Sequence, residues 1–338
     1  MKKQLLILLI LINACNQKQM SKKSLPPICE KKNKNLTIHE SVRIDPYYWL
    51  NDRENPEVID YLNKENDYTD DILSHTKDFQ NSLFNELKGR IKEDDISVPY
   101  TYNGYEYWRK FSKGDEHAVH LRKQIGSDSN EILLDGNKLA KDYDYFDLGD
   151  FDISPNNKLI AYSTDTLSRR IYNIKFRNLL TDELFEETIE NTTGSMAWAN
   201  DNKTVFYTKQ DPETLRSFQI YKHTVGSDPK NDTLIFEEKD DTFYCYVYKS
   251  KSDKYIIINS SSTLSDEYRI IDANNPNEEP RIFQERKRGL EYSIFHHNDE
   301  FFILTNKDHV NFSLMHCNKE STNASNWKTI VEGSDEVL

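Results

Sequence analysis

The sequence predicts a mainly β protein, an incomplete β-propeller of about five four-stranded blades with no closing sequence, preceded by helices. Three observations carry that expectation. Tyr, Phe and Trp number 20, 16 and 4, and this 12% aromatic share favours strands over disorder. After Pro99 the apolar pattern changes from a spacing of three and four to alternation. From there a strand-turn-strand unit recurs: FDISPNNKLIAYS from Phe151, MAWANDNKTVFYT from Met196, YVYKSKSDKYIIINS from Tyr246 and YSIFHHNDEFFILTN from Tyr292. The first residues after these turns, Lys158, Lys203, Lys254 and Glu300, stand 45, 51 and 46 residues apart. A repeat of roughly 40 to 50 residues is the length of a propeller blade. A β-sandwich has short strands and turns without such an interval, and helical repeats lack the alternation.

In chain order, residues 1–15 read as an export signal. Lys2 and Lys3 form a positive start, Leu5 to Ile12 an apolar run too short to span a bilayer comfortably, and Ala14 precedes Cys15. Ile12-Asn13-Ala14-Cys15 resembles a bacterial lipoprotein signal in which Cys15 becomes the acylated N-terminus. The competing reading is a plain cleaved signal with Cys15 incidental. Residues 16–37 are polar and without periodicity, as a tether would be. Residues 38–96 form a helical segment. Asn55 caps a helix with Pro56 at its first position and Val58, Ile59 and Leu62 on one side. Phe79, Leu83, Phe84, Leu87 and Ile91 make an apolar stripe on a second helix, expected to end near Lys92 because Gly89 weakens its last turn. Residues 97–338 are the partial propeller, opened by a hairpin turn at Asn103-Gly104.

Chemistry is harder to find. A net charge of −13 disfavours nucleic acid and suits a cationic partner. With Cys15 acylated, Cys29, Cys245 and Cys317 remain, without a Cys-x-x-Cys, and Cys245 reads as a buried strand residue in Phe243-Tyr-Cys-Tyr-Val247. A nucleophile elbow needs Gly-x-Ser-x-Gly. Gly126-Ser, Gly194-Ser, Gly226-Ser and Gly333-Ser all lack the second glycine, and three of these read as turns. His296 and His297 are adjacent on a strand and point to opposite faces, so they do not share a metal. The residues supply no catalytic set, no metal set and no cofactor fingerprint.

Several stretches resemble the oligopeptidase B branch of the prolyl oligopeptidase family. Asp45-Pro-Tyr-Tyr-Trp-Leu-Asn-Asp52 is similar to the segment that opens the family. Val58-Ile-Asp-Tyr-Leu62 and the residues to Tyr68 resemble its first helix, and Gly89-Arg-Ile-Lys-Glu-Asp-Asp95 its approach to the propeller. Trp198 to Tyr207, Asp211 to Arg216, Glu237 to Tyr244 and Ser260 to Arg269 continue the likeness. The resemblance implies a serine peptidase in which a seven-bladed propeller limits access to an α/β-hydrolase domain built from N-terminal helices and a C-terminal half. It places the catalytic Ser, Asp and His outside this chain, so no position here receives them. It also implies short basic peptides as substrates and the α/β-hydrolase domain, in cis or in trans, as partner. The expectation is therefore the non-catalytic N-terminal part of a lipid-anchored oligopeptidase of the bacterial envelope. The alternative is a peptide- or partner-binding propeller lipoprotein without activity.

Overall fold

The structure, a computed structural model, describes residues 25–337. The chain divides into two compact units, Met1–Lys92 and Glu93–Leu338. Cys15 and the stretch expected as an export signal lie outside the described residues.

In the first unit a hairpin pairs β1 (Lys34–Ile38) with β2 (Ser41–Asp45). His39 and Glu40 both take left-handed backbone angles, φ 48° and 63°, the geometry of a two-residue turn that follows strand twist. This hairpin straddles the end of the stretch expected as a tether, 16–37, and the start of the segment expected as helical, 38–96, and neither expectation included it. Helix α1 (Pro56–Leu73) starts as its sequence dictates: the Asn55 side chain accepts the Glu57 N–H at 3.0 Å, and proline supplies the first position. Val58 is buried, whereas Ile59 and Leu62 are exposed. Helix α2 (Lys77–Gly89) stops three residues short of Lys92. The N–H of Arg90 turns back to the carbonyls of Leu87 and Lys88, which closes the helix at its glycine. Its apolar stripe is uncovered by the described residues of this unit: Phe79 is 68% exposed, Phe84 63% and Leu87 53%.

The second unit is five consecutive antiparallel meanders. In blade 1 the inner strand is broken into β3 (Asp95–Ile96) and β4 (Tyr100–Tyr102) around Pro99, followed by β5 (Tyr105–Phe111), β6 (Val119–Gln124) and β7 (Asn130–Asp135). A short helix, α3 (Gly136–Ala140), leads to blade 2: β8 (Asp147–Ile153), β9 (Leu159–Asp165), β10 (Tyr172–Asn178) and the first part of β11 (Leu184–Trp198). The last residues of β11 are also the inner strand of blade 3, which continues with β12 (Thr204–Gln210), β13 (Ser217–Thr224) and β14 (Thr233–Glu237). Because one strand serves both blades, they form a single seven-stranded sheet. Gly194 makes this passage workable. It has φ +90°, and a Cβ there would sit 2.8 Å from Ser163 Oγ and 3.0 Å from the Tyr172 ring. Blade 4 comprises β15 (Tyr244–Lys249), β16 (Tyr255–Ser262), β17 (Ser265–Asp272) and β18 (Arg281–Gln284). Blade 5 comprises β19 (Tyr292–His297), β20 (Glu300–Thr305), β21 (Ser313–Asn318) and β22 (Lys328–Val331).

The four repeats found in the sequence are the inner hairpins of blades 2 to 5. Asn157, Asn202, Asp253 and Asn298 take left-handed angles in their turns, the residue type that tolerates them. Apolar packing follows the same period, in four clusters that each join two consecutive blades. Tyr107 and Leu133 meet Ile160 and Tyr162; Phe176 and Ile189 meet Trp198 and Tyr207. Phe206 and Ala197 meet Ile256 and Ile258, while Ile257, on the other face of the same strand, joins Phe301 and Trp327. Strands buried on both faces read as unbroken apolar runs, which is why Tyr255-Ile-Ile-Ile258 shows no alternation. Cys245 is fully buried among the third cluster's aliphatic residues, as expected, and burial pushes its thiol up to about 12.

Candidate functional site

The inner hairpin turns of the five blades are stitched to one another by polar side chains. Asn103 Nδ2 donates to the carbonyl of Pro155 at 2.8 Å and Asn157 Nδ2 to that of Asn103 at 3.2 Å, joining blades 1 and 2. The Asn156 N–H donates to Asn202 Oδ1 at 2.7 Å, joining 2 and 3. Asn200 Nδ2 reaches the Asp253 carbonyl at 2.9 Å, and Lys249 Nζ donates to Asn200 Oδ1 at 2.7 Å, joining 3 and 4. Ser252 Oγ lies 2.8 Å from His296 Nδ1, joining 4 and 5. One further bond leaves this succession. The Tyr102 hydroxyl of blade 1 donates to Asp253 Oδ1 of blade 4 at 2.9 Å, crossing past blades 2 and 3. The inner turns therefore converge, and Tyr102 bridges the space between them.

That convergence crowds charge into a poorly solvated place. Burial pushes the Asp152 carboxyl up to about 6, against the Ile153 N–H and the nearby Lys249 ammonium, which favour its charged form. Asp150, two residues earlier on the same strand, is pushed up by burial too. Burial pushes the Lys249 ammonium down, opposed by Asp253 at 4.0 Å and by Asp152. Burial and the bond to Asp253 both push the Tyr102 hydroxyl up. Asp150, Asp152 and Asp253, with Tyr100 and Tyr102, give these inner ends an acidic and aromatic character that can receive a cation. Sequence reading passed over these residues. Their signal was available only by aligning the turn positions of the repeats and asking which inner strands carry acids where others carry apolar residues.

Nucleophilic chemistry needs a hydroxyl, an imidazole and a carboxylate in series. Among the described residues no hydrogen-bonded series of this kind exists. Ser252 contacts His296, but the other nitrogen of that imidazole, Nε2, is buried without a partner. His223 Nδ1 pairs with Asp232 at 2.7 Å and Asp232 also accepts from the Tyr207 hydroxyl, yet His223 is fully buried, stacked on Phe176, with no serine on its Nε2. Both read as ties between strands. His296 is buried and His297 exposed, on opposite faces of β19, and among the described residues no three metal-ligating side chains come together. Gly126 and Gly226 lie in turns with φ +83° and +89°. No described helix is long and apolar enough to cross a membrane.

Comparison with known proteins places this architecture. Residues 26–338 match the family described as prolyl oligopeptidase, N-terminal beta-propeller domain. The chain is 37% identical over 332 residues to dipeptidyl aminopeptidase BI of Pseudoxanthomonas mexicana, covering 93% of this chain and 46% of that protein. It is 34% identical over 288 residues to protease 2 of Moraxella lacunata, covering 83% and 42%. Among solved structures, oligopeptidase B from Leishmania major superposes with a TM-score of 0.85 at 26% identity, over 92% of this chain and 46% of that one. The chain thus spans about half the length of the curated relatives it matches.

Proposed function

This chain belongs to the prolyl oligopeptidase family, whose N-terminal β-propeller domain it carries, and from that premise we propose that it is the non-catalytic N-terminal part of a serine oligopeptidase. Its partner is an α/β-hydrolase domain, in cis or in trans, which supplies the nucleophile, base and acid and hydrolyses short peptides through an acyl-enzyme. The propeller limits access, and cleavage follows Lys or Arg. The observation that carries this reading is the family match over residues 26–338 joined to coverage of only about half of each relative. The Tyr102–Asp253 bridge supports the access role, and the acids near it support basic peptides. The exposed stripe of α2 supports a partner surface for the helical segment. We further propose export and lipid attachment at Cys15, which Cys15→Ser would test by moving the protein from the membrane to the soluble fraction.

The test of the main reading is hydrolysis of Lys- and Arg-amide peptides. The purified chain is expected to show no turnover, and the chain supplied with a hydrolase domain from a relative such as protease 2 is expected to show turnover blocked by an active-serine reagent. Turnover by the chain alone that survives clean purification, or none from the combined protein, would overturn it. A second reading, a binding propeller without catalysis, draws on the net charge of −13 and requires saturable, salt-sensitive binding of cationic peptides.

A further inference from the structure

Blade 4 carries a cavity of about 540 Å³ at the end of its inner strand opposite the stitched turns, lined in part by Asp240, Phe243, Ser262, Thr263, Arg286 and Arg288. Its wall is built around Arg286. That guanidinium donates to the two oxygens of Glu238 at 2.5 and 3.3 Å and to Glu267 Oε1 at 3.1 Å, and it lies 4.0 Å over the Phe243 ring. Glu238 and Glu267 are each only 4% exposed. Burying two carboxylates to hold one arginine adds little to stability, because apolar residues of similar volume serve as well. What it does achieve is a guanidinium fixed at one point of a cavity wall, with three of its N–H donors engaged and the other two without a hydrogen bond to a described residue.

The surroundings reinforce that reading. Arg216 donates to the carbonyls of Phe243, Glu238 and Asp240 at 2.9, 2.9 and 2.6 Å, which locks the loop carrying Phe243. Asp240 is the acid on the wall, and it is engaged: Thr242 donates its N–H and hydroxyl to Oδ1, and Arg286 stands 4.0 Å away. Glu267 is also met by Arg269 at 2.7 Å. Arg288 is exposed and has no partner among the described residues. Over the wall and its braces, Arg216, Arg269, Arg286 and Arg288 face Glu238, Glu267 and Asp240, an excess of one positive charge in a chain of net charge −13.

We propose that this cavity binds a single carboxylate, the free C-terminal carboxylate of a short peptide, with Arg288 as its direct partner. A single excess charge matches a monoanion, the guanidinium fork matches a planar carboxylate, and Phe243 and Leu264 offer apolar surface to the residue before it. The assignment takes peptides as substrates from the reading above, but its readout is binding by this chain, so it fails separately from the hydrolysis assay.

The test uses the full chain and N-terminally dansylated trialanine, as the free acid and as the C-terminal amide, titrated by fluorescence. The acid is expected to bind at least tenfold tighter than the amide. Arg288→Gln, at an exposed position, is expected to erase that difference while leaving the thermal melt unchanged, and Arg288→Lys to restore part of it. Arg286 is left intact, since its loss strands two buried carboxylates and threatens the fold. Equal binding of acid and amide, binding of neither, or a difference that survives Arg288→Gln each overturns the proposal. So does sodium acetate displacing the acid peptide at equal concentration, which would assign the cavity to small carboxylates.

Discussion

Asp152 shows how a single carboxyl reports on its place. Burial raises it from an ordinary 3.8 to about 6, so the folded state holds this proton more tightly than the unfolded chain does. The contribution of Asp152 to stability is then highest where it is protonated in both states, below about pH 4, and falls as the pH rises from there through 6. The groups facing it, Lys249, Asp150 and the tyrosines of β4, modify the size of the fall but not its sign. Asp152→Asn should remove this penalty, raising stability at pH 7 by about 1 to 3 kcal/mol and flattening the urea midpoint between pH 4 and 6. A midpoint profile identical to that of the unsubstituted chain would mean that Asp152 is well solvated. Gly194 makes the opposite case, a residue defined by what it lacks. With φ +90° and Ser163 Oγ 2.8 Å from any Cβ, Gly194→Ala should lose about 2 kcal/mol in chemical denaturation, more than alanine at the open turn glycine Gly226.

At the scale of elements, α2 is the clearest exposed liability. Phe79, Phe84 and Leu87 form a stripe that no described residue of their own unit covers, and at roughly 25 cal/mol per Å² even a few hundred Å² of such surface is worth several kcal/mol if a partner covers it. Phe84→Glu is therefore expected to reduce self-association in sedimentation without lowering the melting temperature of the propeller, and residues 77–89 should exchange amide hydrogens faster than β16. Strong protection of α2 in the isolated chain would refute this. The helices and the inner hairpins were legible beforehand because each has a local cause: the Asn55 cap, the Asn103-Gly104 turn, the recurring left-handed Asn and Asp positions. The β1–β2 hairpin was not, since its turn uses His39-Glu40, residues that carry no turn signal. The stitched turns and the Arg286 wall were invisible for another reason. Tyr102 and Asp253 are separated by 151 positions and Arg286 and Glu238 by 48, and nothing in a linear pattern announces such pairs.

For the whole propeller, order comes from repetition: four apolar clusters between neighbours, and polar stitches across the same seams. Most seams can part by sliding one sheet off the next. The seam between blades 2 and 3 is different, because β11 runs unbroken through both. Under tension applied to the two ends in an optical trap, that pair has no hinge at which one member can be peeled away while the other stays folded. Rupture of blade 4, from Tyr244 to Gln284, should lengthen the tether by about 140 Å of contour, at about 3.4 Å per residue. The stretch from Asp147 to Glu237 should instead yield in one step of about 300 Å. A force trace that divides this step into two equal halves would show that the continuity of β11 has no mechanical weight. A single long step would make blades 2 and 3 one mechanical element spelled by two sequence repeats.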